Sequence, residues 1–141
     1  MNSKGRVLIV DDEERFRNSL RLLLAKGGYD ALGAADGMAA MHILEKDVVD
    51  VVILDSNLPN LKGEDISMII REHGIAVEII ILTGVPVIEN ALLMMRNGVF
   101  DYLAKPVSIG RLMSVVERAV KNKRIRNWDT DAPDLISGYI G

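Results

Sequence analysis

Five short runs of apolar, mostly β-branched residues alternate along the chain with longer segments in which apolar residues recur at helical spacing. The runs cover residues 6–10, 29–33, 51–54, 77–82 and 102–104, and most are apolar on both faces, as is typical of strands that helices cover on each side. Strict alternation of strand and helix predicts a parallel sheet, because parallel neighbours need a crossover between them. Since such crossovers are right-handed, we predict an α/β fold with a doubly wound five-stranded parallel sheet and five helices.

The spacing of apolar residues also predicts which face of each helix packs against the sheet. In the fourth helix the predicted stripe is Ile88, Ala91, Leu92 and Met95, and the pattern leaves open whether Leu93 and Met94 widen the contact or face a partner. Asp36 is predicted to cap the second helix. The stripes of the other helices are predicted at Phe16, Leu20, Leu23 and Leu24; Met38, Met41 and Leu44; Ile66, Ile69 and Ile70; and Leu112, Val115, Val116, Ala119 and Val120.

Composition restricts the function classes open to such a fold. The 141 residues favour one domain of ordinary soluble composition, 49% apolar and 26% charged, and no apolar stretch approaches the roughly 20 residues that span a bilayer. The absence of cysteine excludes disulfides, thiolate catalysis and cysteine-ligated metals. A net charge of −3 argues against wholesale nucleic-acid binding. Because the N-terminus has no signal-peptide pattern, we expect a cytoplasmic protein that contacts neither membrane nor nucleic acid directly.

The end of the chain carries a basic cluster followed by a change of pattern. We interpret the cluster as the solvated last turns of the fifth helix, where cations are favoured. Residues 127–133 have the composition of a linker, and a small apolar group follows them. The cluster consists of Arg118, Lys121, Lys123, Arg124 and Arg126.

Polar side chains follow four of the five predicted strands. Asp11 and Asp12 follow the first, Asp55 the third, Thr83 the fourth and Lys105 the fifth. Taken singly, each could be a helix cap or an ordinary polar loop residue. Because the carboxyl ends of parallel strands meet at one edge of the sheet, the five together predict a site there.

The chemistry that such a set supports is phosphoryl transfer. Three clustered carboxylates repel one another and therefore need a cation, and an all-oxygen site suits Mg²⁺. One carboxylate can then attack phosphorus, while an ammonium and a hydroxyl hold the phosphoryl oxygens. Asp55 is the best candidate for the nucleophile because it stands alone at the end of the central strand.

The residues around this set resemble the receiver domain of bacterial two-component response regulators. The resemblance is carried by four segments in the family's order, residues 10–13, 54–63, 82–84 and 98–106. It covers residues 4–125 and leaves 126–141 as a C-terminal tail or the start of a linker. It implies the flavodoxin-like receiver fold, with strand order 2-1-3-4-5. It also implies that the chain accepts a phosphoryl group and slowly hydrolyses its own aspartyl phosphate, without turning over an external substrate.

The resemblance assigns a role to each site residue. It implies that Asp55 accepts the phosphoryl group from a sensor histidine kinase or phosphotransfer protein and that Thr83 and Lys105 contact that group. The bond between Lys105 and Pro106 would be cis. The implied Mg²⁺ ligands are Asp11, Asp12, Asp55 and the backbone carbonyl of Asn57.

The resemblance also implies how the signal leaves the site. Tyr102 matches the family's switch aromatic, which moves inward when Thr83 is drawn to the phosphate. The face made by the fourth helix, fifth strand and fifth helix would then contact a downstream effector or output domain, and a homodimer stays open as a further partner. Val85 and Asn57 occupy the two positions that tune water access in the family, so the lifetime of the phosphorylated state also stays open.

Three other functions compete with a phosphorylated receiver. A hydrolase of the haloacid dehalogenase type needs a second aspartate two residues after the nucleophile, where this chain has Asn57, and a cap domain for which no stretch is long enough. A flavodoxin-like binding module would need a glycine-rich phosphate loop, which the sequence lacks. A degenerate receiver that binds partners without phosphorylation is disfavoured by the intact set of three aspartates, threonine and lysine.

Overall fold

Strands and helices alternate through the whole of the chain that the structure describes. This computed structural model describes residues 3–131, and the side chains of residues 3–126. The predicted strand–helix alternation is confirmed, and the strand bounds differ from the predicted ones by at most one residue. The strands are β1 (Arg6–Val10), β2 (Asp30–Ala34), β3 (Val51–Asp55), β4 (Glu78–Thr83) and β5 (Asp101–Ala104). The helices are α1 (Glu14–Lys26), α2 (Gly37–Lys46), α3 (Gly63–Glu72), α4 (Ile88–Arg96) and α5 (Ile109–Asp131).

The five strands form one parallel sheet in the order β2-β1-β3-β4-β5, as expected. The order reverses between β1 and β3, and a crevice opens at such a reversal beyond the carboxyl ends of the strands. Val10 pairs with Leu54, so Asp11 and Asp55, the next residues of the two strands, emerge side by side at this crevice. Asp55 in turn pairs with Leu82, the residue before Thr83.

The sheet is buried on both faces, because alternate strand residues feed two separate apolar layers. Leu8 and Val10 of β1 pack in the layer that α2, α3 and α4 cover, and Val7 and Ile9 pack in the layer that α1 and α5 cover. The central strands are therefore apolar throughout, and polar groups are confined to their ends. This arrangement leaves the carboxyl edge as the place where charged side chains of several strands can meet.

The predicted stripe of α4 was wrong. Met94 is the buried residue of this helix, whereas Ile88 and Leu92 are 76% and 61% exposed and Met95 also faces solvent. α4 carries apolar residues around most of its circumference, so the helical period alone does not determine which side faces the sheet. The helix packs through Met94 onto the layer that contains Val99 and leaves three of the four predicted stripe residues exposed, with Ala91 half-buried.

α2 and α1 also differ from the predicted stripes, each at one position. Met38 is 84% exposed, because Gly37, Ala40 and Leu44 form the buried side of α2. A Cβ at Gly37 would lie 2.8 Å from Cδ1 of Ile66, so a side chain there would require Ile66 of α3 to shift. Leu23 of α1 is likewise exposed, while Leu20 and Leu24 are buried.

α5 is longer than the composition indicated, and its basic cluster is only partly solvated. The helix continues through Asp131, into the segment that resembled a linker, so the boundary between domain and tail stays a prediction. Lys123 is buried with its Nζ 3.9 Å from Oδ1 of Asp50, which contradicts the solvated interpretation. Buried Glu78 accepts hydrogen bonds from Asn122 at 2.9 Å and from Arg126.

These contacts hold residues 122–126 of α5 against the amino ends of β3 and β4, opposite the crevice. Among the described residues, no helix is long and apolar enough to cross a membrane.

Candidate functional site

Three aspartates meet at the carboxyl edge of the sheet. One carboxylate oxygen each from Asp11, Asp12 and Asp55 can be chosen so that all three lie within 4.8 Å of one another. Asp11 and Asp55 are 3% and 6% exposed, while Asp12 faces solvent. The expected carboxylate cluster is therefore formed, with two members inside the protein and the third at the surface.

Lys105 supplies the cation that these carboxylates face. Its Nζ lies 3.0 Å from Oδ1 of Asp55 and 3.7 Å from Oδ2 of Asp11. The same ammonium lies 5.2 Å from the centre of the Phe16 ring, within range of a cation–π contact. One ammonium opposes three carboxylates, so the cluster retains an excess of negative charge.

The electrostatics of Asp11 reflect its burial first and that excess of charge second. Burial raises the pKa of the Asp11 carboxyl, the hydrogen bond from the Glu13 N–H to its Oδ1 (2.8 Å) acts in the opposite direction, and the neighbouring charge of Asp55 raises it further. The charged form of Asp11 is thus disfavoured in the metal-free protein. A small divalent cation bound by the three carboxylates would reverse that penalty, and hard oxygen donors of this kind fit Mg²⁺.

The loop from β3 to α3 begins directly at Asp55. The N–H of Asn57 donates to Oδ1 of Asp55 at 3.2 Å, the oxygen that Lys105 also contacts. Oδ2 of Asp55 makes no hydrogen bond to the residues that the structure describes. At the far end of the loop, a Cβ built on Gly63 would lie 2.4 Å from the backbone oxygen of Asp55. Glycine is therefore needed at position 63 so that α3 can start this close to the aspartate.

Thr83 and Tyr102 lie on the neighbouring strands. Thr83 ends β4, is buried, and accepts the Val85 N–H on its Oγ1 at 3.1 Å. Its carbonyl accepts the Lys105 N–H at 2.7 Å, and the peptide bond between Lys105 and Pro106 is cis. Tyr102 packs, partly buried, on the apolar layer beneath α4, and its hydroxyl is buried without a hydrogen-bond partner among residues 3–126.

The structure brings Asp11, Asp12, Asp55 and Lys105 into one group, with Thr83 at the end of the adjoining strand. Their roles in metal binding and phosphoryl transfer stay predictions at this point. Three contacts were missed from the sequence: Phe16 against Lys105, Gly63 against Asp55, and a hydrogen bond between Ser56 and Glu64. Phe16 lies near Asp11 at the start of α1, so its nearness to the site could have been inferred. The other two depend on the loop path, for which the sequence holds no signal.

Comparison with known proteins agrees with this geometry. The family model described as the response regulator receiver domain matches residues 7–117, which include the cluster, Thr83 and Lys105. The regulatory protein AtoC of Escherichia coli K12 is 32% identical over 121 residues, covering 86% of this chain and 26% of its own length. The sensory transduction protein RegX3 of Mycolicibacterium smegmatis is 34% identical over 128 residues, covering 91% of this chain and 55% of its own.

The chain thus spans between about a quarter and just over half of the curated relatives it matches. Among solved structures, a response regulator receiver domain protein from Clostridium thermocellum is 32% identical. It superposes with a TM-score of 0.80, covering 86% of this chain and 98% of that one. The chain therefore belongs to the response regulator receiver domain family of two-component signalling systems.

Proposed function

We propose that Asp55 accepts a phosphoryl group from a phosphohistidine of a sensor histidine kinase or phosphotransfer protein. In the reaction an oxygen of Asp55 bonds to phosphorus while the phosphorus–nitrogen bond breaks, and the electron pair of that bond stays on the histidine ring. The single observation that supports this proposal is the meeting of the three carboxylates with the Lys105 ammonium, 3.0 Å from Asp55. The chain turns over no external substrate in this proposal, and slow hydrolysis of its own aspartyl phosphate returns it to the resting state.

We further propose that the metal is Mg²⁺, held by Asp11, Asp12, Asp55 and the backbone carbonyl of Asn57. The all-oxygen donors and the unbalanced charge of the carboxylate cluster support this choice. Bound there, Mg²⁺ would neutralise charge on the phosphoryl oxygens. Asp11 and Asp12 act only as ligands in this proposal, and Asp55 is the nucleophile.

Lys105 and Thr83 hold the transferred group. The Lys105 ammonium, now shared between Asp55 and Asp11, turns to a phosphoryl oxygen and stabilises its charge. The Thr83 hydroxyl accepts one hydrogen bond, from Val85, and donates none to the described residues. Its proton is therefore free to bind another phosphoryl oxygen.

The movement of Thr83 links the phosphate to a surface. When Thr83 turns toward the phosphoryl group it leaves space beside β5, and the Tyr102 ring fills that space more deeply. The buried Tyr102 hydroxyl has no hydrogen-bond partner among the described residues, which supports a ring that can occupy a second position. The surface that responds is the exposed apolar side of α4, which includes Ile88, Leu92 and Met95.

That α4 surface, with β5 and α5, is the proposed contact for a downstream effector, an output domain or a second copy of the chain. A large exposed apolar area favours binding of a protein partner. The kind of partner that binds this surface stays a prediction, as does the cytoplasmic location.

The proposal is tested by phosphorylation with acetyl phosphate, a small donor that needs no kinase. Intact-mass analysis of the full chain should show one added phosphoryl group with Mg²⁺ present, and none after chelation. Asp55→Asn should abolish the addition, whereas Asp50→Asn, which removes the same charge at the opposite end of β3, should not. Persistent modification of Asp55→Asn would move the acceptor to another residue and overturn the assignment.

A further inference from the structure

The loop between β3 and α3, residues 56–62, is closed at its base by two hydrogen bonds between Ser56 and the start of α3. The Ser56 carbonyl accepts the Gly63 N–H at 3.1 Å, and the Ser56 hydroxyl donates to Oε1 of Glu64 at 2.7 Å. A hydroxyl–carboxylate hydrogen bond is charge-assisted and stronger than one between neutral groups. Both side chains are half-buried, which limits the competition from water for this bond.

These bonds replace the capping that α3 otherwise lacks. Lys62, at the N-cap position, makes no side-chain hydrogen bond to the first turn. The first helical N–H groups normally need an acceptor outside the helix, and the Ser56 carbonyl provides one for Gly63. A carboxylate in the first turn, as in Glu64, is also favoured by the helix dipole. The loop base therefore stabilises the start of α3 and is itself held by it.

Ser56 is bound on its other side to the sheet. Its N–H donates to the carbonyl of Leu82 on β4 at 2.8 Å. The next residue, Asn57, donates its N–H to Oδ1 of Asp55. With Ser56 attached both to β4 and to α3, the peptide unit that carries Asn57 has little freedom to move away from Asp55.

We infer that the Ser56–Glu64 hydrogen bond is a clasp that positions Asn57 against Asp55 and so strengthens cation binding by the carboxylate cluster. Ser56 and Glu64 are positioning residues in this inference, since they act through Asn57 and Asp55. The inference rests on the proposed function for the identity of the cation as Mg²⁺. Its effect on the loop itself is independent of any metal.

The experiment measures two quantities on the full chain. The first is the hydrogen-exchange rate of the Gly63 amide in the metal-free protein, and the second is the Kd for Mg²⁺ from calorimetric titration. Ser56→Ala removes the hydroxyl and keeps the charge of Glu64. Glu64→Gln removes the charge and keeps an oxygen that can accept from Ser56. Asp65→Asn is the matched control, because Asp65 is exposed and lies in the same helical turn.

Ser56→Ala removes the clasp, so the Gly63 amide should exchange faster than in the unsubstituted chain. The Kd for Mg²⁺ should rise about three- to tenfold, the effect of losing one hydrogen bond. In Glu64→Gln the bond to Ser56 is neutral and weaker, so the Gly63 exchange rate and the Kd should lie between those of Asp65→Asn and Ser56→Ala. Unchanged exchange and unchanged Kd in Ser56→Ala would overturn the inference. So would a Kd for Glu64→Gln well above those of both other variants, since the charge of Glu64 would then be the cause.

The failure of the proposed function would look different. If the unsubstituted chain bound no Mg²⁺, the proposed metal site would be wrong. The exchange of Gly63 in Ser56→Ala would still decide whether the clasp holds the loop, because that measurement needs no cation.

Discussion

The Nζ of Lys105 lies 3.0 Å from Oδ1 of Asp55, although the two residues are 50 positions apart in the chain. The ammonium occupies the edge of the carboxylate cluster and balances part of its charge. It also lies where a phosphoryl group on Asp55 would need a positive partner. In the proposed function, Lys105 would therefore oppose a bound cation before phosphorylation and stabilise the phosphate afterwards.

Lys105→Ala should bind Mg²⁺ more tightly than the unsubstituted chain. Removing a charge of the same sign near the cation is worth about 1 kcal/mol, or roughly fivefold in Kd, at a well-solvated edge. Calorimetric titration measures the change, and Lys62→Ala, an exposed lysine of the neighbouring loop, is the control. The variant should nonetheless lose most of the conformational response to phosphorylation. If Lys105→Ala responds normally, the residue is only a surface charge.

Thr83→Ala should separate phosphate binding from the switch. Beryllofluoride, which stands in for the phosphoryl group, should shift amide resonances of residues 83–87 and 101–105 and, more weakly, those of Met94 and Leu112. In Thr83→Ala the distant shifts should be strongly reduced, because no hydroxyl moves to release Tyr102. Thr83→Ser keeps the hydroxyl and is the matched control. Shifts restricted to the residues around the ligand in the unsubstituted chain would show that Tyr102 carries no signal.

Asp11→Asn should stabilise the metal-free protein at neutral pH. Because burial raises the pKa of Asp11 above its ordinary value of 3.8, folding favours the protonated form. The stabilisation that the protonated Asp11 carboxyl gives the fold is fully present below its unfolded-state pKa. It is lost as the pH rises through the raised pKa of the folded state. An uncharged isostere removes the repulsion with Asp55 that remains at pH 7, worth about 1 kcal/mol.

Chemical denaturation at pH 7 and pH 3 in a chelator tests this expectation. The gain in the free energy of unfolding should be large at pH 7 and small at pH 3, where Asp11 of the unsubstituted chain is protonated. Asp12→Asn, at the exposed member of the cluster, should gain less. A variant that is less stable than the unsubstituted chain at pH 7 would contradict the electrostatic account.

Gly63→Ala should destabilise the fold and distort the site. The added Cβ would lie 2.4 Å from the Asp55 carbonyl oxygen, and backbone atoms cannot yield as a flexible side chain can. Overpacking of this kind costs about 1–3 kcal/mol. Gly110→Ala is the control, because a Cβ there meets nothing within 4 Å and alanine is the better helix former. Equal stabilities of the two variants would show that α3 moves away from Asp55 without cost.

Much of the fold and of the candidate site could be predicted because both follow from local patterns. Predicted strands such as 51–54 are apolar on both faces, and the first polar residue after each marks its end, so Asp11, Asp55 and Lys105 were expected at one edge. Side-chain packing was less predictable. Met94 rather than Leu92 is buried because α4 is apolar on several sides, and the choice depends on its tilt over the sheet.

Long-range polar contacts were the least predictable. Lys123 is buried with its ammonium 3.9 Å from Oδ1 of Asp50, a residue far away in the sequence. The Ser56–Glu64 bond depends on the path of a seven-residue loop whose turn at Asn60 has a positive φ of 70°. Neither residue pair shows a spacing that a helix or a strand would impose.

The polar contacts between α5 and the amino ends of the strands determine how far a signal from Asp55 must travel through the domain. α5 starts next to the carboxylate edge, and its residues Asn122 and Lys123 contact Glu78 and Asp50, at the amino ends of the strands. The helix thus crosses the whole depth of the sheet, about 17 Å for strands of this length. The described surface around Arg124, which donates a hydrogen bond to the Lys4 carbonyl, therefore lies at the opposite pole of the domain from Asp55. A partner bound there would respond to the chemical state of the aspartate through the body of the domain or around its flank, and not by touching the phosphate.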